Sequence, residues 1–228
     1  MAISVDTVYQ RVLALANKEQ RGYITPQEFN LFANQAQMDI FEQYFYDLNQ
    51  FLRVPGNDTI FADMSTLLRE KIDLFIKSTT ITGGSNTIDL PTDSYRVARV
   101  GAEGVEVERM TNREFNDVRI APLTKPTLKR PAYYQKDTRI IIHPNTIDTA
   151  NIVYIRKPLK VDWTYVVVGG KALVNNNDPR YQDFELHPSE ETDLIIKILT
   201  LAGVTLKDLG LVQLAGTEEA RNIQQEKL

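Results

Sequence analysis

The sequence predicts an α+β protein with helices at both ends of the chain and an antiparallel β-rich region between them. Three observations support this prediction. Apolar residues recur with the helical period up to about residue 77, period-two alternation and turn residues dominate from 78 to 186, and a capped amphipathic run begins at 187. We therefore divide the chain into an N-terminal helical part (1–77), a β-rich part (78–186) and a C-terminal helical part (187–228).

Three helices are predicted in the N-terminal part. The first gathers its apolar residues on one face, namely Val5, Val8, Tyr9, Val12, Leu15 and Ala16. The second begins at Thr25, where an N-cap threonine precedes Pro26 and a glutamate, Glu28, that bonds back to the cap. It runs to about Leu52, and a third helix is predicted at 65–77.

The second predicted helix carries aromatic residues on more than one face. They include Phe41, Phe45, Tyr46 and Phe51. A helix that is apolar all round is covered either by its own chain or by a neighbouring molecule. Both interpretations stay open from the sequence. Because interfaces are enriched in aromatic residues, we take these four as candidate contacts with another subunit.

From residue 78 onward, short β stretches alternate with turns. Strands are predicted at 79–82, 87–91, 95–100, 105–108, 132–134, 139–142 and 151–156, and a hairpin at 161–174 turns at Gly169 and Gly170. The connections are too short for parallel crossovers, so an antiparallel meander is expected. Thr111 and Glu114 predict a second capping box, and His187 or Ser189 caps the C-terminal helix.

The composition restricts the chemistry that this chain can perform. It contains no cysteine and only two histidines, His143 and His187, each followed by proline. Neither has a serine, aspartate or glutamate placed beside it with the logic of a catalytic triad, so both are predicted to be structural. Residues 17–28 have the outline of a calcium loop, but Arg21 stands where an oxygen ligand is required. We therefore expect no enzyme, no metal site and no cofactor.

The charge distribution bears on the partners of the chain. A net charge of −4 argues against a general nucleic-acid binder, although the β-rich part carries +2 and each end −3. The most basic stretch, 119–139, includes Lys125, Lys129 and Arg130. It is either a solvated face or a contact with DNA or with an acidic protein surface. We favour a protein contact, because few aromatic residues interleave the basic positions.

Nothing in the sequence predicts association with a membrane. No apolar run approaches the roughly 20 residues that cross a bilayer, and the first residues lack the basic and apolar regions of a signal peptide. We expect no membrane partner, and synthesis and folding in a cytoplasm.

The order of these features resembles the neck-ring, or head-to-tail adaptor, proteins of tailed bacteriophages, particularly those of the short-tailed and crAss-like groups. The residues that carry the resemblance lie in segments 17–20, 22–30, 88–91, 125–127, 131–134, 154–158 and 184–191. These segments are spread over most of the chain, and each is a diffuse pattern rather than a compact signature.

The resemblance implies a structural virion protein that forms a ring of twelve copies beneath the portal and connects it to the tail. Its partners would be further copies of itself, the portal protein and other neck or tail proteins, with genomic DNA passing through the lumen without specific binding. The family also implies a bundle in which the C-terminal helices pack on the N-terminal ones, with a barrel- or sandwich-like β region inserted. The protein would be assembled in the host cytoplasm and located in the neck of the virion.

Two other classes of function remain open from the sequence. A non-enzymatic β-rich binding or adhesion module of a virion or cell surface would also show strands, turns and surface aromatic residues. Such a module stays monomeric and recognises a glycan or a peptide, whereas a ring protein self-assembles. A hydrolase is the third class, and the shortage of candidate nucleophile and base pairs argues against it.

Overall fold

The fold is α+β and consists of two compact units. The computed structural model describes four stretches of the chain, residues 3–18, 24–51, 64–84 and 86–205. Contacts divide the chain into a helical unit, which combines residues 1–74 with 158–228, and a sheet unit, residues 75–157. The sequence suggested divisions after 77 and 186. In the structure the second boundary follows residue 157, because the segment after it is hydrogen-bonded to side chains of a helix and so belongs to the helical unit.

Five helices and ten strands occur in the described stretches. The helices are α1 Val5–Lys18, α2 Pro26–Phe51, α3 Met64–Asp73, α4 Asn112–Ile120 and α5 Glu191–Thr205, and a 3₁₀ turn, Pro188–Glu190, precedes α5. The strands are β1 Ile76–Thr82, β2 Thr87–Asp89, β3 Ser94–Ala102, β4 Val105–Glu106, β5 Glu108–Arg109, β6 Ala132–Lys136, β7 Arg139–His143, β8 Thr149–Arg156, β9 Tyr165–Val168 and β10 Lys171–Val174. The predicted tail helix from residue 217 lies outside the described residues.

Both predicted capping boxes are confirmed. The Thr25 backbone N–H donates to the Glu28 carboxylate at 2.9 Å, and the Glu28 N–H donates to the Thr25 hydroxyl at 3.3 Å. Thr111 and Glu114 repeat the same exchange at 2.9 and 3.3 Å at the start of α4. These bonds satisfy N–H groups that the first helical turn leaves without a partner. They also hold the pKa of each glutamate below its usual range.

The helical unit is organised around α2. This helix contacts α3 and α5, and α1 contacts α5 as well. The buried apolar residues of α2 follow the helical period and are Phe29, Ala33, Ala36, Ile40, Phe41 and Tyr44. α5 contributes Leu194, Ile195, Ile198 and Ala202 to the buried residues of this unit. Burial of each large apolar side chain stabilises the fold by about 1.5–3 kcal/mol, so packing rather than helix propensity holds these helices in place.

The sheet unit contains two four-stranded sheets, in the orders β1-β8-β3-β4 and β2-β7-β6-β5. All neighbouring strands are antiparallel except β5 and β6, which are parallel. Side chains from both sheets form one buried cluster, which includes Ile88, Val97, Val100, Tyr133, Ile140, Ile142, Ile152 and Tyr154. Within the described residues neither sheet closes into a barrel.

The strand order differs from the expected meander. β8 pairs with β1 on one side and β3 on the other, so strands distant in sequence are neighbours in the sheet. The predicted strand 105–108 is split at Val107, because β4 pairs with β3 whereas β5 pairs with β6. Val107 itself is buried between the two short strands. The predicted third helix ends early, because Ile76 and the residues after it pair with β8.

Candidate subunit interface

Phe41 lies inside the helical unit, whereas Phe45 lies partly at its surface. The Phe41 side chain is fully buried within the chain, and the Phe45 ring packs edge-on against it at 5.1 Å between centroids. Phe45 is only partly buried. Phe41 is therefore a core residue of this unit and offers no surface to another subunit.

Tyr46 and Phe51, in the second half of α2, are accessible to solvent. Tyr46 is 57% exposed, and Phe51, the last residue of the helix, is partly buried. Leu31, which the sequence analysis did not select, is 71% exposed near the start of the same helix. Leu31 and Tyr46 fall on the same helical face, because they are separated by close to a whole number of turns.

The candidate basic residues lie on the sheet unit. Lys125, Lys129 and Arg130 are all exposed. The backbones of Thr127 and Arg130 exchange two hydrogen bonds, at 3.2 and 3.0 Å, which close a tight turn that carries Leu128 and Lys129 at its tip. The three basic candidates are thus exposed on the sheet unit, whereas on the helical unit Tyr46 is exposed, Phe45 and Phe51 are partly buried and Phe41 is buried.

The hairpin of β9 and β10 was predicted from the sequence, but the exposure of its apolar side chains was not. Seven of its eight strand residues are apolar, and Lys171 is the exception. Val167 is 65% exposed, Val168 58% and Leu173 50%. Gly169 and Gly170 have positive φ values of 60° and 78°, as the predicted two-residue turn requires. The signal for an exposed strand pair was present in the run of consecutive valines, which lacks the alternation of a half-buried strand.

Carboxamide side chains of α2 hold the segment that leads into this hairpin. The Asn34 side chain donates to the Val161 carbonyl at 2.8 Å and accepts the Val161 N–H at 2.9 Å. Asn30 accepts the Trp163 N–H at 2.9 Å, and Gln37 donates to the Leu159 carbonyl at 2.8 Å. Alternate residues from 159 to 163 are therefore hydrogen-bonded to carboxamide side chains on successive turns of α2.

An aromatic cluster also contacts this segment. The ring of Tyr9 lies 4.0 Å from that of Trp163 and 4.8 Å from that of Phe29, measured between centroids. The Trp163 indole N–H donates to the Asp6 carboxylate at 3.0 Å, so this buried side chain has its polar group satisfied. Tyr165, the first residue of β9, stacks on Trp163 at 5.7 Å. The base of the hairpin is therefore rigidly attached to α1 and α2.

A partly buried ion pair joins α3 to the 3₁₀ turn before α5. Lys71 bonds to the Glu190 carboxylate at 2.5 Å, and the Lys71 ammonium lies 5.6 Å from the centre of the Tyr44 ring. Burial raises the pKa of Tyr44, and the negative charges of Glu190 and Asp193 raise it further. The hydroxyl of this buried tyrosine therefore stays protonated.

His187 caps the 3₁₀ turn before α5, one of the two roles that the sequence suggested. Its Nδ1 accepts the Ser189 N–H at 3.2 Å and lies 2.8 Å from the Ser189 hydroxyl. The hydroxyl donates to Glu190 at 3.1 Å. A nucleophilic serine needs the histidine between it and the carboxylate. Here the serine lies between the other two groups, so the geometry is that of a cap.

His143 lies at the end of β7, where its ring stacks on Phe115 at 5.4 Å. Burial lowers the pKa of His143, and the positive charges of Arg119 and Lys125 lower it further, against the opposing effect of a hydrogen bond with Asn145. The imidazole is thus kept neutral beside an aromatic ring of α4.

Two kinds of site are absent from the part of the chain that the structure describes. There, no three histidine, aspartate or glutamate side chains gather in a way that would hold a metal ion. Nor is any helix in that part both long and apolar enough to span a bilayer. The central residues of the calcium-loop outline, 19–23, lie outside it.

No protein-family model matches the chain, and no curated protein matches it. A function can therefore be inferred only from the surfaces of the part of the chain that the structure describes. Three of them combine exposure with composition typical of contacts: the outer side of α2, the basic turn around Lys129, and the β9–β10 hairpin.

Proposed function

We propose that this chain is a structural protein of a tailed-phage virion that assembles into a ring in the neck, connects the portal to the tail and lets DNA pass. In this proposal the helical unit supplies a bundle of N- and C-terminal helices, and the sheet unit supplies the barrel- or sandwich-like part of each subunit. The contacts of α5 with α1 and α2 support the first assignment. The buried cluster shared by the two sheets supports the second.

The observation that carries the proposal is the exposed β9–β10 hairpin. A two-stranded ribbon is marginally stable in water by itself, and each of its strands presents an edge with backbone groups ready to pair. An isolated protein protects such edges with charges or proline, but this hairpin has only Lys171 near its tip. Covering it with a neighbouring copy would shield its exposed apolar side chains, Tyr165, Val166, Val167, Val168 and Leu173, and pair the backbone of one edge.

A ring requires a different patch on each side of the subunit, because only a heterologous contact repeats around an axis. The opposite net charges of the β-rich part and the two ends of the chain support such a contact. In this proposal each copy binds other copies in a ring of twelve, the portal protein and other neck or tail proteins. A lumen without strong positive charge would let DNA slide through without being retained.

Two measurements test the proposal. Electron microscopy of the purified chain at rising concentration, with mass photometry of the same samples, should show closed rings of one dominant size. Antibodies to the chain should label the junction of capsid and tail in virions that contain it. Label on tail fibres or on a cell surface, together with a chain that remains monomeric, would favour the binding or adhesion module instead. Strong salt-dependent binding of duplex DNA would contradict passage without retention.

A further inference from the structure

One side of α2 forms a stripe that is both apolar and acidic, exposed at each position except Asp39, which is half-buried and accepts a hydrogen bond from Gln35 at 2.7 Å. Residues spaced by three or four positions place it on a single face, which we call the acidic α2 face: Leu31, Gln35, Asp39, Glu42 and Tyr46. The leucine and the tyrosine at its two ends are 71% and 57% exposed. The whole helix contains four acidic residues and no lysine or arginine. At 1.5 Å per residue the stripe is about 23 Å long.

A second exposed surface combines apolar side chains with positive charge. Residues 119–130, which we call the basic segment, contain four basic residues and no acidic one. Its three large aliphatic side chains are exposed, Ile120 by 76%, Leu123 by 99% and Leu128 by 48%. An aliphatic side chain as completely surrounded by water as that of Leu123 is unusual, and three exposed aliphatic side chains in one short segment are typical of a contact site.

The basic segment is held in place rather than loosely attached. Pro126 is buried, and so is Pro131 directly after the segment. The backbones of Thr127 and Arg130 bond to each other in both directions, and the Ala121 N–H bonds to the last turn of α4 at 3.2 Å. The exposed leucines therefore project from a backbone fixed at both ends, which lowers the entropy cost of binding them.

We propose that the basic segment of one copy binds the acidic α2 face of the next copy. The inference rests on the proposed function, since it names a second contact between copies besides the one that covers the hairpin. Each surface pairs apolar anchors with charges of one sign, and the signs are opposite. Contact would bring aliphatic side chains of one copy against Leu31 and Tyr46 of the other, while the charges align at the rim. Because the two patches differ, the contact is heterologous and repeats from copy to copy.

DNA is the competing ligand for the basic segment, and the structure favours a protein. Phosphate contacts need positive charge but gain nothing from three exposed aliphatic side chains. A protein interface uses such side chains as its desolvated centre, with charged residues around them. The acidic α2 face supplies the matching charge in the same molecule.

The first test is charge reversal in the full-length chain. The triple variant Lys125→Glu, Lys129→Glu, Arg130→Glu should weaken self-association about tenfold or more, and so should Asp39→Lys with Glu42→Lys. A mixture of the two variants should associate again, because the opposite signs are restored in exchanged positions. Lys136→Glu, an exposed lysine just outside the basic segment, is the matched control and should associate like the unmodified chain. Circular dichroism checks that each variant is folded.

The second test uses the absence of cysteine from the chain. Gln35→Cys places a thiol on the acidic α2 face, and Leu123→Cys places one on the basic segment. Under mild oxidation, a mixture of these two variants should form a disulfide-linked dimer between unlike copies. The positional control replaces Leu123→Cys with Thr138→Cys, at an exposed residue of the sheet unit away from the basic segment, and should give little product.

The outcomes separate this inference from the proposed function. If the unmodified chain forms rings but the charge reversals and the cross-link have no effect, the contact proposed here is wrong while the ring proposal stands. If the chain never assembles and the mixed cysteine variants never cross-link, both are wrong. Loss of duplex DNA binding in the triple variant, with self-association unchanged, would assign the basic segment to DNA and overturn the inference.

Discussion

Asn34 and Val161 are joined by a pair of hydrogen bonds, 2.8 and 2.9 Å long, in which a side-chain carboxamide replaces the backbone of a neighbouring strand. The carboxamide presents one donor and one acceptor in the same plane, as a peptide group does. Asn30 and Gln37 extend this pairing along α2. An α-helix thus satisfies the backbone of an extended segment, and that segment positions the exposed hairpin.

Asn34→Ala is expected to destabilise the helical unit, because it leaves the N–H and C=O groups of Val161 without their partners in a partly buried place. Each such loss costs about 1–3 kcal/mol. Asn49→Ala, at an exposed asparagine of the same helix, should change the stability by less than about 0.5 kcal/mol. The midpoint of urea unfolding measures both. Equal effects of the two substitutions would show that the carboxamide pairing contributes nothing.

Phe41→Ala and Tyr46→Ala should separate core from interface on one helix. Phe41 is fully buried, so its truncation leaves a cavity that costs about 3–5 kcal/mol. Tyr46 is 57% exposed, and its truncation should leave the monomer within about 0.5 kcal/mol of the original stability but weaken association. Denaturant unfolding and sedimentation velocity distinguish the two effects. A large loss of monomer stability in Tyr46→Ala would contradict this assignment.

Val167→Lys should prevent assembly without unfolding the chain. The valine is 65% exposed in β9, so a lysine side chain reaches water in the monomer but is buried unfavourably when a neighbour covers the hairpin. Val105→Lys, in the short edge strand β4, serves as the control for charge and β-propensity. Mass photometry is expected to show oligomers for the control and monomers for Val167→Lys. Rings that form equally well with both variants would exclude the hairpin from the contact.

The stability of the sheet unit should fall when the pH drops below neutrality, because His143 binds a proton more readily in the unfolded chain than in the folded one. Its pKa in the folded chain is lowered by burial, so the unfolded chain takes up a proton at a higher pH, near the usual value of about 6.5. Stability therefore rises with pH through this window and is lost as the pH falls from about 7 toward 5. Urea unfolding at fixed pH values measures the slope.

In His143→Phe the ring contact with Phe115 is retained and the titrating group is removed, so the slope between pH 5 and 7 should decrease. Carboxylates contribute at lower pH. Burial raises the pKa of Asp93, but hydrogen bonds from Lys77 and Tyr154 outweigh it and leave the pKa below its usual range. The stability linked to Asp93 is lost only as the pH falls through that lowered pKa. An unchanged slope in His143→Phe would assign the pH dependence to another group.

Local features of this fold could be predicted from the sequence because each depends on a few adjacent residues. Thr25 with Glu28, and Thr111 with Glu114, form capping boxes whose donors and acceptors lie within four positions. The Gly169-Gly170 pair fixes a hairpin turn through positive φ angles. The exposure of Tyr46 and of Lys125, Lys129 and Arg130 agrees with their selection as surface candidates.

Long-range relationships could not be predicted in the same way. The insertion of β8 between β1 and β3 joins segments that are distant in sequence, and alternation says only which face of a strand is buried, not which strand lies beside it. Asparagine and glutamine at 30, 34 and 37 look like an ordinary polar helix face until the segment that they bind is in place. Phe41 and Phe45 are indistinguishable by type, and only the packing of α2 against the other helices buries the first.

The helical unit is interrupted in sequence by the sheet unit, and this has a consequence for synthesis on the ribosome. At roughly 5–20 residues per second, residues 159–163 emerge on the order of ten seconds after α2. During this delay the nascent chain carries α1 and α2 without the segment and the helix that later cover them, whereas the sheet unit is already complete. Under the proposed ring assembly, a contact through the hairpin can therefore form only after most of the described chain has left the ribosome, whereas α2 and the basic segment are made earlier.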